Sequence, residues 1–204
     1  MGSHLSKYDD LPLATAAGGL EPLPTGGRWV RPEETTLTLR AKIMSWTHAE
    51  CDIYEGDGTG GERLLRIEGN DLRDRAVYDS TGVEIPTGYR RRLAAAMAVA
   101  HIYYETEGKV MCYASVKKIF QLRPAFGVFL HNPPVELNPD DTKALEENLE
   151  TPDLTVECSA MGHFVILQGD PENNPIKVAT VKKENTGWTE NFPLHITIGP
   201  KVSL

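Results

Sequence analysis

From Thr36 onward the chain is a train of short runs rich in Val, Ile, Tyr and Thr, broken at hairpin spacing by clusters of Gly, Asn, Asp and Pro. Side chains branched at Cβ and aromatic side chains fit a pleated, half-buried surface, and residues that tolerate positive φ close tight turns, so this alternation restricts the chain to antiparallel β architecture. The runs predict strands over 36–45, 49–55, 63–69, 76–79, 90–100, 101–105, 110–118, 126–130, 154–160, 163–168, 176–183 and 194–198. Gly56-Asp57-Gly58, Asp79-Ser80-Thr81-Gly82, Glu107-Gly108 and the loop from Gly169 to Asn174 each sit between two such runs. Two stretches compete with this reading. Residues 91–100 are strong helix formers, although their hairpin context favours a strand. Residues 139–149 predict a short surface helix, with Asn138 as N-cap, Pro139 in the first turn, Asp140 and Asp141 facing the positive end of the dipole, and Leu145 and Leu149 on one face.

An internal echo narrows the architecture. Ile102-Tyr103-Tyr104-Glu105, followed by the run from Val110 to Lys118, recurs as Val165-Ile166-Leu167-Gln168 followed by Ile176 to Lys183, with a shorter relative over 52–67. The two longer units are hairpins ending in a basic pair. Repeated hairpins that each bury one face point to a closed barrel, because closure removes the exposed edges on which sheets aggregate.

Composition sets the remaining bounds. The 204 residues, 40% apolar and 25% charged, suit one folded domain with its own core. Residues 1–33 are rich in Gly, Pro and Ala without periodicity and read as a flexible arm; Met1-Gly2-Ser3-His4 resembles the scar of an expression tag. The domain is expected over 34–204. No apolar run approaches the roughly 20 residues that cross a bilayer, and no secretory pattern opens the chain, so it is expected in the cytosol or nucleus, with at most peripheral membrane contact. A net charge of −8 argues against generic binding to nucleic acid or to an anionic membrane, because both need a positive field around the whole molecule, and leaves only a local basic patch to attract phosphates. Cys51, Cys112 and Cys158 are widely spaced and read as reduced core residues.

The motifs that carry chemistry mostly reduce to turns. Gly56-Asp57-Gly58-Thr59-Gly60-Gly61 matches a dinucleotide fingerprint, which works only when a helix follows; a strand pattern follows here, so a hairpin loop is expected. None of the six histidines falls two or four residues from another histidine or from a cysteine, so no metal-ligand spacing appears and no metal or cofactor is expected. Cys158 and His163 can face each other across a hairpin, but Glu157 opposes the thiolate a nucleophile needs. Asp140-Asp141, Glu146-Glu147, Asp170 and Glu172 read as solvated acids, and Asp170 with Asn173 and Asn174 lacks an EF-hand ligand order.

The phrases Leu39-Arg40-Ala41-Lys42-Ile43-Met44-Ser45, Asp52-Ile53-Tyr54, Leu72-Arg73-Asp74-Arg75, Ala114-Ser115-Val116-Lys117-Lys118 and Ala179-Thr180-Val181-Lys182-Lys183 resemble the LURP-one-related family, which shares its fold with the tubby C-terminal domain and the phospholipid scramblases. The resemblance covers about 36–204. It implies a mainly β, closed antiparallel barrel of about twelve strands around a central, apolar C-terminal helix. This chain stops at Gly199-Pro200-Lys201-Val202-Ser203-Leu204, so the central helix is expected to be missing, either because the sequence is truncated or because something else fills the barrel.

Three basic groups, Arg90-Arg91-Arg92, Lys117-Lys118 and Lys182-Lys183, fall at strand ends, where closure can gather them at one rim. The alternative is that they guard strand ends against pairing. A gathered rim suits a phosphoinositide headgroup, as the resemblance to tubby domains implies. The expectation is therefore a binding module and not an enzyme, engaging a protein partner or an anionic lipid in signalling or defence. The alternative is a carrier of an apolar small molecule inside the barrel. A hydrolase ranks third, for want of a catalytic set.

Overall fold

The computed structural model describes residues 7–8, 10–15, 32–43, 48–56, 60–70, 74–92, 99–120, 124–138, 143–158, 163–184 and 193–200; residues 41–43, 48, 49, 70, 74, 75, 85–92, 105, 106, 120, 124, 143 and 144 are described by their backbone alone. Twelve strands follow one another: β1 (Thr35–Ile43), β2 (His48–Glu55), β3 (Arg63–Asn70), β4 (Asp74–Asp79), β5 (Glu84–Arg92), β6 (Val99–Thr106), β7 (Lys109–Phe120), β8 (Pro124–Glu136), β9 (Leu154–Cys158), β10 (Phe164–Gln168), β11 (Ile176–Lys183) and β12 (Pro193–Ile198). A five-residue helix, α1 (Lys143–Glu147), interrupts the connection from β8 to β9. Each strand pairs antiparallel with the next, and β1 pairs with β12 as well as with β2, so the strand order closes on itself. A mainly β chain of serial hairpins is what the turn spacing predicts. At Glu107-Gly108 both residues adopt positive φ, +51° and +74°, the conformation a two-residue hairpin turn requires.

The differences from the expected strands have local causes. The run 90–100 is not one strand: Arg92 opposes Val99, so the segment holds the end of β5 and the start of β6. Residues 93–98, and with them most of the competing helix, lie outside the described residues. The earlier part of β5 is masked in sequence by Pro86 and Gly88. Pairing steps from Ala76↔Gly88 to Val77↔Ile85 and leaves Pro86 in a bulge, where its missing N–H costs no ladder bond. β8 likewise runs through Asn132-Pro133-Pro134, because pairing jumps from Ala114↔Leu130 to Cys112↔Val135 and the prolines fall in the irregularity. α1 is shorter than the helix expected over 139–149, and 139–142 lie outside the described residues. The expectation of a surface insert needs correction: Leu149 is buried against Val99 and Phe129 and holds the connection down on the sheet.

The two faces of the sheet differ in chemistry, and register shows how. Directly opposed residues share a face, so Ile198, Ala179, Ile166, Val156 and Phe126 form one apolar row across β12 to β8. Leu39, Ile53 and Leu65 form another on β1 to β3. On the opposite face Arg40, Asp52 and Arg66 align, and Arg66 pairs with Glu50 at 3.2 Å and Glu68 at 2.7 Å. The apolar face is therefore the one the strands enclose. Many of its aliphatic side chains, among them Ile53, Ile67, Val156 and Val181, are only half-buried.

Among the described residues the outer face is covered in two places. One cover is the helical connection; the other comes from the N-terminal segment, read as part of a flexible arm. Tyr8 is 2% exposed and packs on Val165 and Leu167. Its hydroxyl donates to Glu157 Oε1 at 2.8 Å, and its carbonyl accepts from Lys177 Nζ at 2.8 Å. Buried charges need partners, and Tyr8 supplies one to each of these two. Leu13 then bridges Lys177 in parallel, and Ala14 N–H donates to the Lys177 carbonyl at 3.0 Å.

Candidate functional site

Antiparallel neighbours alternate in direction, so all odd-numbered strands run toward the same end of the ring. Arg90, Arg91 and Arg92 close β5, Lys117 and Lys118 lie in the last turn of the pleat of β7, and Lys182 and Lys183 close β11. All seven candidate residues therefore belong to one end. Arg92, Val99 and Lys117 fall in one row, two strand spacings or about 10 Å across. β11 lies four spacings from β7, roughly 20 Å along the sheet, so the lysine pair of β11 stands apart from the other five. The opposite end carries Glu55, Glu62, Asp79 and Glu107 at its turns, whereas the short β9 and β10 bring Asp170 of the β10–β11 loop close to Lys117 and Lys118.

The lysines differ in setting. Lys118, Lys182 and Lys183 range from half-buried to exposed, whereas the half-buried Lys117 turns onto the outer wall and donates to the Leu149 carbonyl at 3.4 Å. There Lys117 and Lys118 line a half-open groove of about 610 Å³ together with Ile119, Phe129, Pro152 and Thr155. The segment 149–152 and the β10–β11 loop at 169–171 form its banks. Gly127 lies under the floor: a Cβ there would stand 3.0 Å from Pro152, 3.1 Å from Phe129 and 3.2 Å from Ile119, so the absence of a side chain lets the three converge.

A polar cluster that residue spacing did not reveal sits behind this wall. His101 Nδ1 lies 2.9 Å from Ser115 Oγ, and Ser115 Oγ lies 2.8 Å from His131 Nε2. Cys112 Sγ approaches Ser115 Oγ at 3.8 Å, and Glu146 of α1 stands 3.6 Å from His101 Nε2. These residues come from β6, β7, β8 and α1, and only the pairing register brings them together. The serine–histidine contact resembles part of a nucleophilic triad, but Ser115 is 0% exposed, so no substrate reaches it. Burial, reinforced by the neighbouring His101, holds the His131 imidazole below its ordinary range, and Asp153 works weakly against them. Burial also pushes the Cys112 thiol up, away from the thiolate form.

The other candidates resolve as turns or inert groups. β3, a strand, follows Gly60-Gly61, so the glycine run closes the β2–β3 hairpin; residues 57–59 lie outside the described residues. Cys158 opposes Phe164, next to His163, and burial followed by the charge of Glu157 pushes its thiol up. In the 170–174 loop the Asp170 carboxylate accepts from Glu172 N–H at 3.0 Å. Among the described residues no three His, Cys, Asp or Glu side chains gather as metal ligands, and no helix is long and apolar enough to cross a membrane. The three cysteines form no disulfide.

Comparison with known proteins finds no curated relative and no solved structure that matches. The family model described as LURP-one-related matches residues 35–204, from the first residue of β1 through β12. With the match spanning all twelve strands, the chain belongs to the LURP-one-related family.

Proposed function

We propose that this chain is a non-enzymatic binding module of the tubby-like barrel kind that engages a phosphoinositide headgroup through the basic end of its ring. The observation that carries the reading is the common direction of β5, β7 and β11, which collects Arg90, Arg91, Arg92, Lys118, Lys182 and Lys183 at one end of a molecule whose net charge is −8. The acidic turns at Glu55, Glu62, Asp79 and Glu107 lie at the other end, so the charge distribution would orient the molecule basic end first toward an anionic surface. Such a module would act in signalling or defence, at the membrane surface from the cytosolic side, a reading that the family association supports. The sealed Ser115 cluster supports a binding role over a hydrolytic one.

Co-sedimentation with phosphatidylcholine vesicles containing a phosphatidylinositol phosphate tests this. The full chain should pellet, more weakly as salt rises, and Arg90→Ala/Arg91→Ala/Arg92→Ala should lose at least about tenfold in affinity, while Lys109→Ala at the acidic end should not. Undiminished binding of the triple variant would sink the reading; absence of binding by wild type would turn the basic end toward an acidic protein partner. A second reading rests on the half-buried aliphatic rows of the enclosed face: a carrier of an apolar small molecule. Native mass spectrometry decides it, because a carrier loses an additional apolar mass on denaturation.

A further inference from the structure

The groove on the outer wall adjoins the basic end at Lys117 and Lys118 but opens onto a different surface. It opens between the end of β7, the 149–152 segment and the β10–β11 loop, and its volume of about 610 Å³ lies within the 300–1,000 Å³ or so typical of small-molecule sites. Its floor is apolar, because Gly127 lets Ile119, Phe129 and Pro152 close over the sheet. Leu149, which forms one side, is pinned by Val99 and Phe129, so the bank belongs to the packed wall.

The charged groups of the groove are asymmetric in depth. Lys117 is half-buried, and its ammonium has three donors, of which the contact to the Leu149 carbonyl uses one. Lys118 lines the groove as well. Glu150 and Asp170 also line it, but both are exposed, and the Asp170 carboxylate is engaged in its own turn. Thr151 and Thr155 add hydroxyls. The half-buried Lys117 against an apolar floor attracts one negative charge, while the exposed Lys118 at the mouth is offset by the two exposed carboxylates, which repel a second.

We propose that this groove binds a small organic monoanion with an apolar body, of the medium-chain carboxylate class, with Lys117 as counterion and Ile119, Phe129 and Pro152 as the apolar floor. The chemistry separates this ligand from a phosphoinositide headgroup: a polyphosphate brings the additional charges that Glu150 and Asp170 repel, and a neutral chain gives Lys117 nothing to bind. The groove borders the proposed lipid contact at Lys118 but does not include the arginines of β5 or the lysines of β11.

Calorimetric titration of the full chain with decanoate, decyl phosphate and decanol tests it. Decanoate should bind about tenfold more tightly than either of the others. Lys117→Met keeps the aliphatic stem and removes the charge, and should lower decanoate affinity about tenfold while leaving decanol unchanged. Thr151→Trp, at an exposed position, fills the groove and should abolish binding of both without altering the circular dichroism. Equal affinity for decanoate and decanol, an unaffected Lys117→Met variant, or no binding at all would overturn the proposal. Decanoate bound as well by Thr151→Trp as by wild type would place it on the enclosed face and overturn the assignment to the groove.

Discussion

Replacing Ser115 by alanine probes whether the buried polar cluster ties the wall together. Ser115 lies wholly buried between His101 Nδ1 at 2.9 Å and His131 Nε2 at 2.8 Å. A hydroxyl carries one proton, so it donates to one ring and accepts from the other. Alanine keeps the methylene and leaves packing nearly unchanged, but strands one ring nitrogen on each side. His101 is 1% exposed, and its stranded nitrogen has no access to water, a loss of about 1–3 kcal/mol. His131 is half-buried and recovers most of its loss from solvent. The expected net effect is about 2 kcal/mol, which for a chain of this length lowers Tm by roughly 4–8 °C. Urea unfolding followed by far-ultraviolet circular dichroism measures it, with an unchanged m-value showing that the effect is on stability alone. Groups in one network couple, so Ser115→Ala with His131→Gln should cost less than the sum of the two. A Ser115→Ala variant within about 0.5 kcal/mol of wild type, or strict additivity in the double variant, would refute the reasoning.

Two further predictions concern the same wall. Because the folded state holds the His131 imidazole below the ordinary value of 6.5, the unfolded chain takes up the proton first; this contribution is complete above about pH 6.5 and is lost as pH falls toward the folded value. The drop in Tm from about pH 7 to about pH 5 should therefore be smaller in His131→Gln than in wild type, and an equal drop would contradict the assignment. Tyr8→Phe removes a donor from the buried Glu157 carboxylate and should cost about 1.5–2 kcal/mol in urea, with faster amide exchange over 10–15; exchange matching wild type would show that the segment does not depend on this bond.

Much of the fold was legible because its signals are local. Turn residues at Glu107-Gly108 and around Gly169 mark hairpins, β-branched runs mark strands, and once strands alternate in direction the basic groups of β5, β7 and β11 must share an end. The strands that escaped notice, the early part of β5 and the late part of β8, carry prolines that read as breakers in isolation and become harmless only where a bulge removes the need for their N–H. Nothing in the residues around Tyr8 marks a docked segment. Its burial depends on two charges, Glu157 and Lys177, supplied by strands more than a hundred positions away.

The polar cluster shows where the sequence runs out. From the Glu107-Gly108 turn, Thr106 opposes Lys109, and a regular hairpin would continue until His101 met Ala114, placing Ser115 on the other face. The shift between Ile102 and Tyr103 inserts one residue, Tyr113, and moves His101 opposite Ser115 instead. The number, order and direction of the strands, and with them the polarity of the ring, follow from residues that act on their neighbours along the chain. Register past a bulge, the convergence of Ile119, Phe129 and Pro152 over Gly127, and the seating of Leu149 beside Lys117 were decided only by tertiary packing. Each of these depends on contacts between distant segments, whose energies no local pattern encodes.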